Sequence, residues 1–161
     1  MDGRWLVAVI GSWALWGASP PLLAQATGDY AEDLARVYGA YQRLVATRDA
    51  CDEKFPGLRS ANGRAFGEWK QRHQALVRDL ERRVLVMIRQ ASADQHEYSR
   101  NIGRYEGEIL QQRLDYRQTL FELDRADLEQ QCRKFPAFLK SADADFRKRY
   151  AGELETLARR K

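Results

Sequence analysis

The two cysteines of the chain, Cys51 and Cys132, have the clearest chemistry, because two thiols can form a structural disulfide or a redox pair. They open two similar stretches, "CDEKFPGLRSAN" at 51–62 and "CRKFPAFLKSAD" at 132–143, each with a Lys-Phe-Pro corner after the cysteine. A redox pair is typically marked by Cys-x-x-Cys spacing or by an activating histidine nearby, and the sequence has neither. The sequence therefore predicts a structural disulfide between Cys51 and Cys132, and we interpret the repeat as a duplicated helix–corner–helix unit.

The two histidines, His73 and His96, form no pattern that is typical of a metal or catalytic site. A zinc site needs further ligands at a fixed spacing, such as His-Glu-x-x-His, which the sequence lacks. Phosphate-binding glycine loops, nucleophile elbows and haem-attachment motifs are absent from it as well. We expect His73 to be half-buried and hydrogen-bonded in a helix, and His96 to be solvated. The sequence thus predicts no catalytic residue, no metal and no cofactor, and a protein that is not an enzyme.

The N-terminal residues, 1–26, have the features of a cleaved secretory signal peptide. A weakly basic start precedes an apolar run, two prolines, and small residues at Ala24 and Ala26 in the spacing that a signal peptidase reads. The alternative is an uncleaved anchor, but the run is shorter than the roughly 20 residues that span a bilayer. We predict cleavage after Ala26, a single helical domain over 27–161, a periplasmic or secreted location, and no stable membrane insertion after cleavage.

The formal net charge of +4 bears on the class of partner. A basic balance often indicates nucleic acid, but an exported protein rarely meets any, so no nucleic-acid partner is expected. Anionic wall polymers, lipid headgroups or acidic proteins fit the charge better. The charges also alternate in sign along the chain, as in "RDLERR", which is typical of solvated helix faces.

Apolar residues recur with helical spacing through nearly all of 27–161, and no stretch alternates with period two. The first predicted helix begins at a capping pair, Asp29 with Glu32, and ends near Phe55. The second opens at Pro56 and continues to a chain reversal within "QASADQHE", for which Ser92 with Gln95, or Asp94 with Glu97, supplies a new capping pair.

The third predicted helix runs to Phe135 and the fourth opens at Pro136. The predicted fold class is all-α: an antiparallel up-down-up-down four-helix bundle of coiled-coil type, with a long central helical hairpin and one disulfide. Because the first and third helices of such a bundle point the same way, both Phe-Pro corners should lie at one end. This arrangement would bring Cys51 and Cys132 to the same level.

The tip of the central hairpin is the predicted interaction surface. The second helix is longer than its outer neighbours, and its end carries "VLVMI" at 84–88, which one facing helix would not cover. Exposed apolar residues with aromatic and arginine neighbours are typical of protein interfaces. The predicted partner-binding residues are Val84, Val86, Ile88, Tyr98, Arg100 and Arg104. The alternative is that the first or fourth helix extends far enough to cover the apolar members of this set.

The stretch "QRLVATRDAC" at 42–51 resembles the Gln-Arg-x-aromatic/aliphatic…Arg-Asp-Ala-x-Cys phrase of LprI-type lysozyme-inhibitor domains, which are small exported helical proteins. The additional cysteines of that family are missing here. The resemblance implies an exported helical binder, one that could act on a wall-degrading enzyme.

These observations favour an exported, non-enzymatic helical bundle that binds a protein partner or a second copy of itself through the hairpin tip. The alternatives are an inhibitor of a cell-wall-degrading enzyme and a small periplasmic chaperone. The Leu-Thr-x-x-Gln phrase of the small helical periplasmic chaperones is absent from the sequence.

Overall fold

The computed structural model describes residues 26–159, and every regular element in that range is helical. The helices are α1 Tyr30–Lys54, α2 Arg59–Arg72, α3 Gln74–Gln90, α4 Gln95–Phe121, α5 Arg125–Phe138, α6 Phe146–Arg149 and α7 Ala151–Arg159. Single 3₁₀ turns, Pro56–Leu58 and Ala142–Ala144, lie between α1 and α2 and between α5 and α6. The all-α prediction is confirmed for this part of the chain. The predicted signal peptide, apart from Ala26, lies outside the described residues.

The predicted bounds of α1 are confirmed. The Asp29 side chain accepts a hydrogen bond of 2.9 Å from the Glu32 backbone N–H, which satisfies a donor that has no partner in the first turn. At the other end the Phe55 N–H donates to the Cys51 carbonyl, and Phe55 leaves the helical conformation before Pro56. Pro56 then begins the 3₁₀ turn, where its missing N–H is not needed.

The second predicted helix is interrupted at His73, which separates α2 from α3. The interruption is slight, because the His73 N–H still donates to Trp69 and the His73 carbonyl still accepts from Val77. The reversal that follows lies between α3 and α4, within the predicted stretch. Asp94 caps α4 by accepting a hydrogen bond of 2.8 Å from the Glu97 N–H, which confirms one of the two alternative capping pairs predicted for this helix.

The prediction of a third helix ending at Phe135 and a fourth opening at Pro136 is wrong. Helix α4 ends at Phe121, and residues 122–124 are not helical. The Asp124 side chain accepts a hydrogen bond of 2.8 Å from the Ala126 N–H and caps the next helix, α5. Pro136 lies inside α5, near its end. The two similar stretches therefore differ in structure: the first forms a corner between helices, whereas the second forms the end of α5 and the turn after it.

Helix α4 lies along α1 and points the same way. The Arg113 Nε donates to the Gln42 Oε1 at 2.6 Å, and further along both helices the Arg117 Nη1 lies 3.5 Å from the Glu53 carboxylate. The Lys54 ammonium at the end of α1 lies over the Phe121 ring at the end of α4. Residue numbers thus rise together along the two helices.

Helices α5 to α7 return along α1 in the opposite direction. Near the start of α5 the Arg125 guanidinium lies over the Phe55 ring, and one level lower Cys132 is bonded to Cys51 with a Cα–Cα distance of 5.4 Å. Near the other end of α1 the Arg36 Nη1 lies 3.7 Å from the buried Glu153 carboxylate of α7. The predicted disulfide is confirmed, but Cys132 reaches Cys51 from a helix that runs antiparallel to α1.

The main core lies around Trp69, whose side chain is completely buried. The indole Nε1–H donates to the Ala144 carbonyl at 2.7 Å, and the ring stacks on His73 and meets the edge of Phe146. A second, smaller cluster encloses the disulfide, and its buried members are Ala50, Cys51, Leu120, Leu128 and Cys132. Within residues 26–159, no helix combines the length and apolar character needed to cross a bilayer.

Candidate functional site

Only part of the predicted hairpin-tip surface is exposed. Val84 and Ile88 are 4% and 9% exposed and belong to the main core, against which Tyr98 and Ile102 of α4 also pack. The expectation that these two side chains are available to a partner is therefore wrong, because α3 turns them towards the rest of the chain. Val86 is 44% exposed and lies on the opposite side of α3.

The polar members of the predicted surface are occupied by neighbours on the hairpin. Tyr98 is half-buried beneath the Arg89 guanidinium, which lies 5.1 Å from its ring centroid. The Arg100 Nη1 lies 3.0 Å from His96 Nδ1, and His96 is exposed as predicted. Arg104 donates to the Asn101 side chain at 3.1 Å. The tip is a polar, hydrogen-bonded surface with one isolated valine.

Three further exposed apolar side chains lie lower on the hairpin. Leu85 of α3 is 43% exposed, and Leu110 and Leu114 of α4 are 57% and 41% exposed. A groove of about 440 Å³ lies between the two helices beside Tyr38 of α1. The groove is lined by Leu85, Ile102, Ile109 and Leu110 among others. We call this surface the hairpin flank.

The polar lining of the groove consists of three charged side chains, Glu81, Glu106 and Arg113, and two phenols, Tyr38 and Tyr105. Burial raises the pKa of the Tyr105 hydroxyl, and the nearby Tyr38 and Glu81 raise it further. Burial, with Glu81, raises the pKa of Tyr38 as well. Both hydroxyls therefore keep their protons across the physiological range and can act as hydrogen-bond donors, but not as bases. The groove fits an apolar side chain accompanied by polar or charged groups that can pair with Glu81, Glu106 or Arg113.

Helix α4 has a second feature, a row of positions that begins on the exposed side of the hairpin and ends at two side chains that also contact α1, Arg117 beside Glu53 and Phe121 beneath Lys54. Six positions recur in steps of 4, 3, 4, 3 and 4 residues, and such spacing keeps them on one side of a helix. They are Gly103, Gly107, Leu110, Leu114, Arg117 and Phe121. A Cβ atom built on Gly103 or Gly107 meets no atom within 4 Å, so this side of α4 is open at both positions. We call these six positions the α4 seam.

Sequence reasoning missed the hairpin flank and the α4 seam. The sequence predicts an apolar row through Ile102, Tyr105 and Ile109 and a second row at heptad spacing through Leu114, Phe121, Leu128 and Phe135. Leu114 belongs to the second row, yet it is exposed, and Leu110 lies off both rows. The displacement of Leu110 from both rows is the signal that could have identified it.

His73 has a structural environment. Its Nδ1 lies 3.0 Å from the Trp69 carbonyl oxygen, its Nε2 lies 3.7 Å from the Asp145 carboxylate, and its ring stacks 4.4 Å from the Trp69 ring. His73 is hydrogen-bonded as predicted and more deeply buried than expected, at 6% exposure. In the range 26–159, no group of three or more His, Cys, Asp or Glu side chains is arranged to hold a metal ion.

The stretch at 42–51 that carries the inhibitor resemblance is used within the fold. Gln42 is buried and accepts the hydrogen bond from Arg113, and Cys51 forms the disulfide. The Arg48 guanidinium pairs with Asp49 and lies 4.9 Å from the Phe66 ring centroid. These side chains support packing of α1 against its neighbours.

Comparison with known proteins assigns no family to this architecture. No protein-family model, curated protein or solved structure matches the chain.

Proposed function

We propose that this is an exported, non-enzymatic helical protein that acts by binding protein through the α3–α4 hairpin, and that its partner there is a second copy of the same chain. The observation that carries the proposal is the poor burial of α4. This helix covers Gln95–Phe121, yet Leu120 is its one fully buried side chain. Most helix stability in proteins comes from packing of an apolar face. A helix of this length with exposed leucines fits one that packs on a partner.

We also propose that the chain forms the predicted up-down-up-down bundle, with different helix boundaries from those predicted. Helix α1 is then the first rod of the bundle, α2 and α3 together are the second, α4 is the third, and α5 to α7 together are the fourth. The parallel contacts of α4 with α1 and the antiparallel contacts of α5 with α1 support this topology. The hairpin flank and the α4 seam then lie on one side of the bundle.

The α4 seam is complementary to itself when a second α4 is laid against it in the antiparallel direction. Its six positions are symmetric about Gln112. Leu110 therefore faces Leu114 of the partner subunit, Gly107 faces Arg117 of the partner subunit, and Gly103 faces Phe121 of the partner subunit. Leucine meets leucine at the centre, and glycine leaves room for a larger side chain at the outer steps, where Arg117 and Phe121 also keep their contacts with Glu53 and Lys54 of their own chain.

Charge supports the same arrangement. Glu106 is the neighbour of Gly107, which faces Arg117 of the partner subunit, so the Glu106 carboxylate lies within reach of that arginine. The two-fold symmetry of the dimer produces this pair twice. The Arg117 side chain is 34% exposed beside Glu53 and so can meet a second carboxylate. Pairs of this kind fix register more than they add affinity.

The seam from 103 to 121 extends about 27 Å at 1.5 Å per residue. A contact of that length lies near the lower limit of about 1,000 Å² for specific interfaces. We therefore expect a reversible dimer with a dissociation constant in the micromolar range.

The decisive substitution is Gly107→Lys. Within one chain the lysine has open space and removes a helix-weakening glycine, so the monomer should keep or gain stability, by up to about 1 kcal/mol. Between chains it meets Arg117 of the partner subunit, so dimerisation should weaken at least tenfold. Sedimentation velocity over a concentration series measures the dissociation constant. Gly67→Lys on α2 is the matched control, since Gly67 is also an exposed helical glycine with open space.

Engineered cysteines test the direction of packing, because no cysteine of the described chain is free. In the antiparallel arrangement, Leu110→Cys mixed with Leu114→Cys should give a mixed disulfide faster than either variant bonds to itself. Faster self-linkage of Leu110→Cys would indicate parallel helices. A wild-type chain that stays monomeric up to millimolar concentration would contradict self-association.

Photo-crosslinking distinguishes a chain that does not bind itself from a chain whose hairpin binds no protein at all. A crosslinking amino acid at Leu85 points to the hairpin flank, whereas the same group at Val86, with equal exposure, points away. In the compartment to which the protein is exported, we expect crosslinked products from the variant at position 85 and none from the variant at position 86. Equal adducts at both positions, or none, would argue against any partner on this surface.

A further inference from the structure

Asp33, in the first turn of α1, is a completely buried carboxylate held by the residues just before the helix. Its Oδ1 accepts from the Thr27 backbone nitrogen at 3.0 Å and from the Thr27 hydroxyl at 3.1 Å. Its Oδ2 accepts from the Gly28 N–H at 3.3 Å. The chain segment that leads into α1 therefore closes over this side chain.

Gly28 makes this closure possible. Its φ of +78° lies in the left-handed region, which side chains other than glycine rarely adopt, and it is the one residue in the range 26–159 with positive φ. The turn brings the Thr27 nitrogen back onto the carboxylate instead of letting the chain continue away from the helix. The Thr27 hydroxyl also accepts a hydrogen bond from the Asp29 N–H, which holds the turn closed.

The carboxylate is ionised, and within residues 26–159 no Lys or Arg side chain forms an ion pair with it. Burial raises the pKa of Asp33, yet hydrogen bonds from Thr27, Thr156 and Gly28 outweigh it and hold the pKa below the ordinary value. The groups of the described chain that act most strongly on it are these donors and not a Lys or Arg. A buried charge without an opposite charge is unfavourable in a protein interior. Such a site is suited to a cation in place of one of its neutral donors.

We propose that Asp33 is the receptor for the α-amino group that signal-peptide cleavage creates at Thr27. Cleavage after Ala26 converts the Thr27 nitrogen from an amide donor into an ammonium group at the same 3.0 Å contact. A hydrogen bond between ionised partners is roughly twice as strong as a neutral one. Processing thus completes the ion pair, and the exported domain reaches full stability only after the signal peptide is removed.

This site is independent of the hairpin surface, and it makes the position of the first residue matter. An ammonium group at Ala26 would be displaced by one residue from Asp33, and an acetylated Thr27 would lack the charge. Both should leave the fold intact, because the neutral hydrogen bonds remain.

The test compares three chains made by cleaving a removable fusion: one that begins at Thr27, one that begins at Ala26, and one that begins at Thr27 with an acetylated α-amino group. Chemical denaturation should show that the first has a folding equilibrium constant at least tenfold greater than the other two. In the Asp33→Asn background the three chains should be equal. N-terminal mass analysis of the protein exported by a cell should identify Thr27 as its first residue.

Three results would overturn the proposal: equal unfolding midpoints for the three chains with Asp33 present, an undiminished difference in Asp33→Asn, or a different first residue in the exported protein. If Asp33→Asn does not fold, NMR titration of the α-amino group decides the question. An amine paired with Asp33 must titrate above the 7.7–8.0 of a free α-amino group. An unshifted value would refute the pairing.

Discussion

Replacing both Cys51 and Cys132 by alanine should destabilise the domain by about 4.5 kcal/mol. The bond joins residues separated by 81 positions, and the chain-entropy relation for a loop of that length gives this value as the conformational freedom restored to the unfolded chain. Both side chains are completely buried, and their neighbours Ala50, Leu120 and Leu128 belong to the same small cluster. Alanine keeps that cluster apolar, so the loss of the crosslink should dominate.

The expected change in melting temperature follows from the size of the domain. Unfolding entropy near 60 °C is about 2.1 cal/mol/K per residue, so residues 26–159 give about 0.28 kcal/mol/K. A loss of 4.5 kcal/mol then lowers the melting temperature by about 16 °C. A shift of this size is well within the range of scanning calorimetry.

The assay is guanidinium unfolding of four chains: wild type, each single alanine variant and the double variant. The two single variants should be equal, and the double variant should match them, because either substitution removes the whole bond. The buried sulfurs should also resist a phosphine reductant in native buffer and react only under denaturing conditions. A loss below about 1 kcal/mol, or a double variant much less stable than either single variant, would refute the crosslink explanation.

Three further outcomes are expected. Burial raises the pKa of Asp33, but its hydrogen bonds lower the pKa by more, so the folded value lies below the ordinary 3.8. The ionised carboxylate therefore stabilises the fold at pH values above 3.8, and this stabilisation is lost as pH falls through the lower folded pKa. Urea midpoints from pH 6 to pH 2 should therefore fall less steeply in Asp33→Asn. Trp69→Phe, which leaves the Ala144 carbonyl without its donor, should cost about 1–3 kcal/mol, and Trp69→Ala about 3–5 kcal/mol, by urea titration. If the hairpin proposal is right and the inhibitor alternative wrong, lysozyme turnover should be unchanged by micromolar excess of the protein.

Much of the fold could be predicted because it depends on local signals. The capping pair of Asp29 with Glu32 and the Phe55-Pro56 corner act within one turn of helix, and the structure has both. The break at 122–124 was missed because the apolar row at heptad spacing, formed by Leu114, Phe121, Leu128 and Phe135, is continuous across it. Asp124 carried the opposing signal, since its side chain supplies a cap for the helix that follows. A local cap outweighed a longer apolar period.

The disulfide was predicted correctly from a path that the structure does not have. Matching thiols in an oxidising compartment pair when any path brings them together, so the chemistry constrained the answer more than the topology did. For the interaction surface, in contrast, the topology constrains the answer more than the residue types do. The composition of 84–88 could not say which side chains face inward, because Val84 and Val86 differ only in the direction they take from α3, and that depends on where α4 lies.

The two ends of α1 are fixed more firmly than the hairpin, and this difference supports the hairpin as the binding element. The Cys51–Cys132 bond joins the C-terminal end of α1 to α5, and Asp33 holds the segment before its N-terminal end. In contrast, α4 has one fully buried side chain, Leu120, close to its C-terminal end. The tip half of α4 is therefore attached to the domain by partly buried side chains such as Ile102 and Tyr105.

Native-state hydrogen exchange should reveal this difference directly. Local opening requires little free energy where few apolar contacts are lost, so amides of 96–106 in α4 should exchange at least a hundredfold faster than those of 40–50 in α1. Dimerisation through the proposed α4 seam would cover part of this segment and the residues that follow it, so protection of 103–114 should rise with protein concentration in the wild type and remain constant in Gly107→Lys. Amides near the disulfide should not respond to concentration in either chain. Uniform protection of α1 and α4 in the dilute protein would show that α4 is held by the domain alone, and the physical reason for assigning it a partner would then be lost.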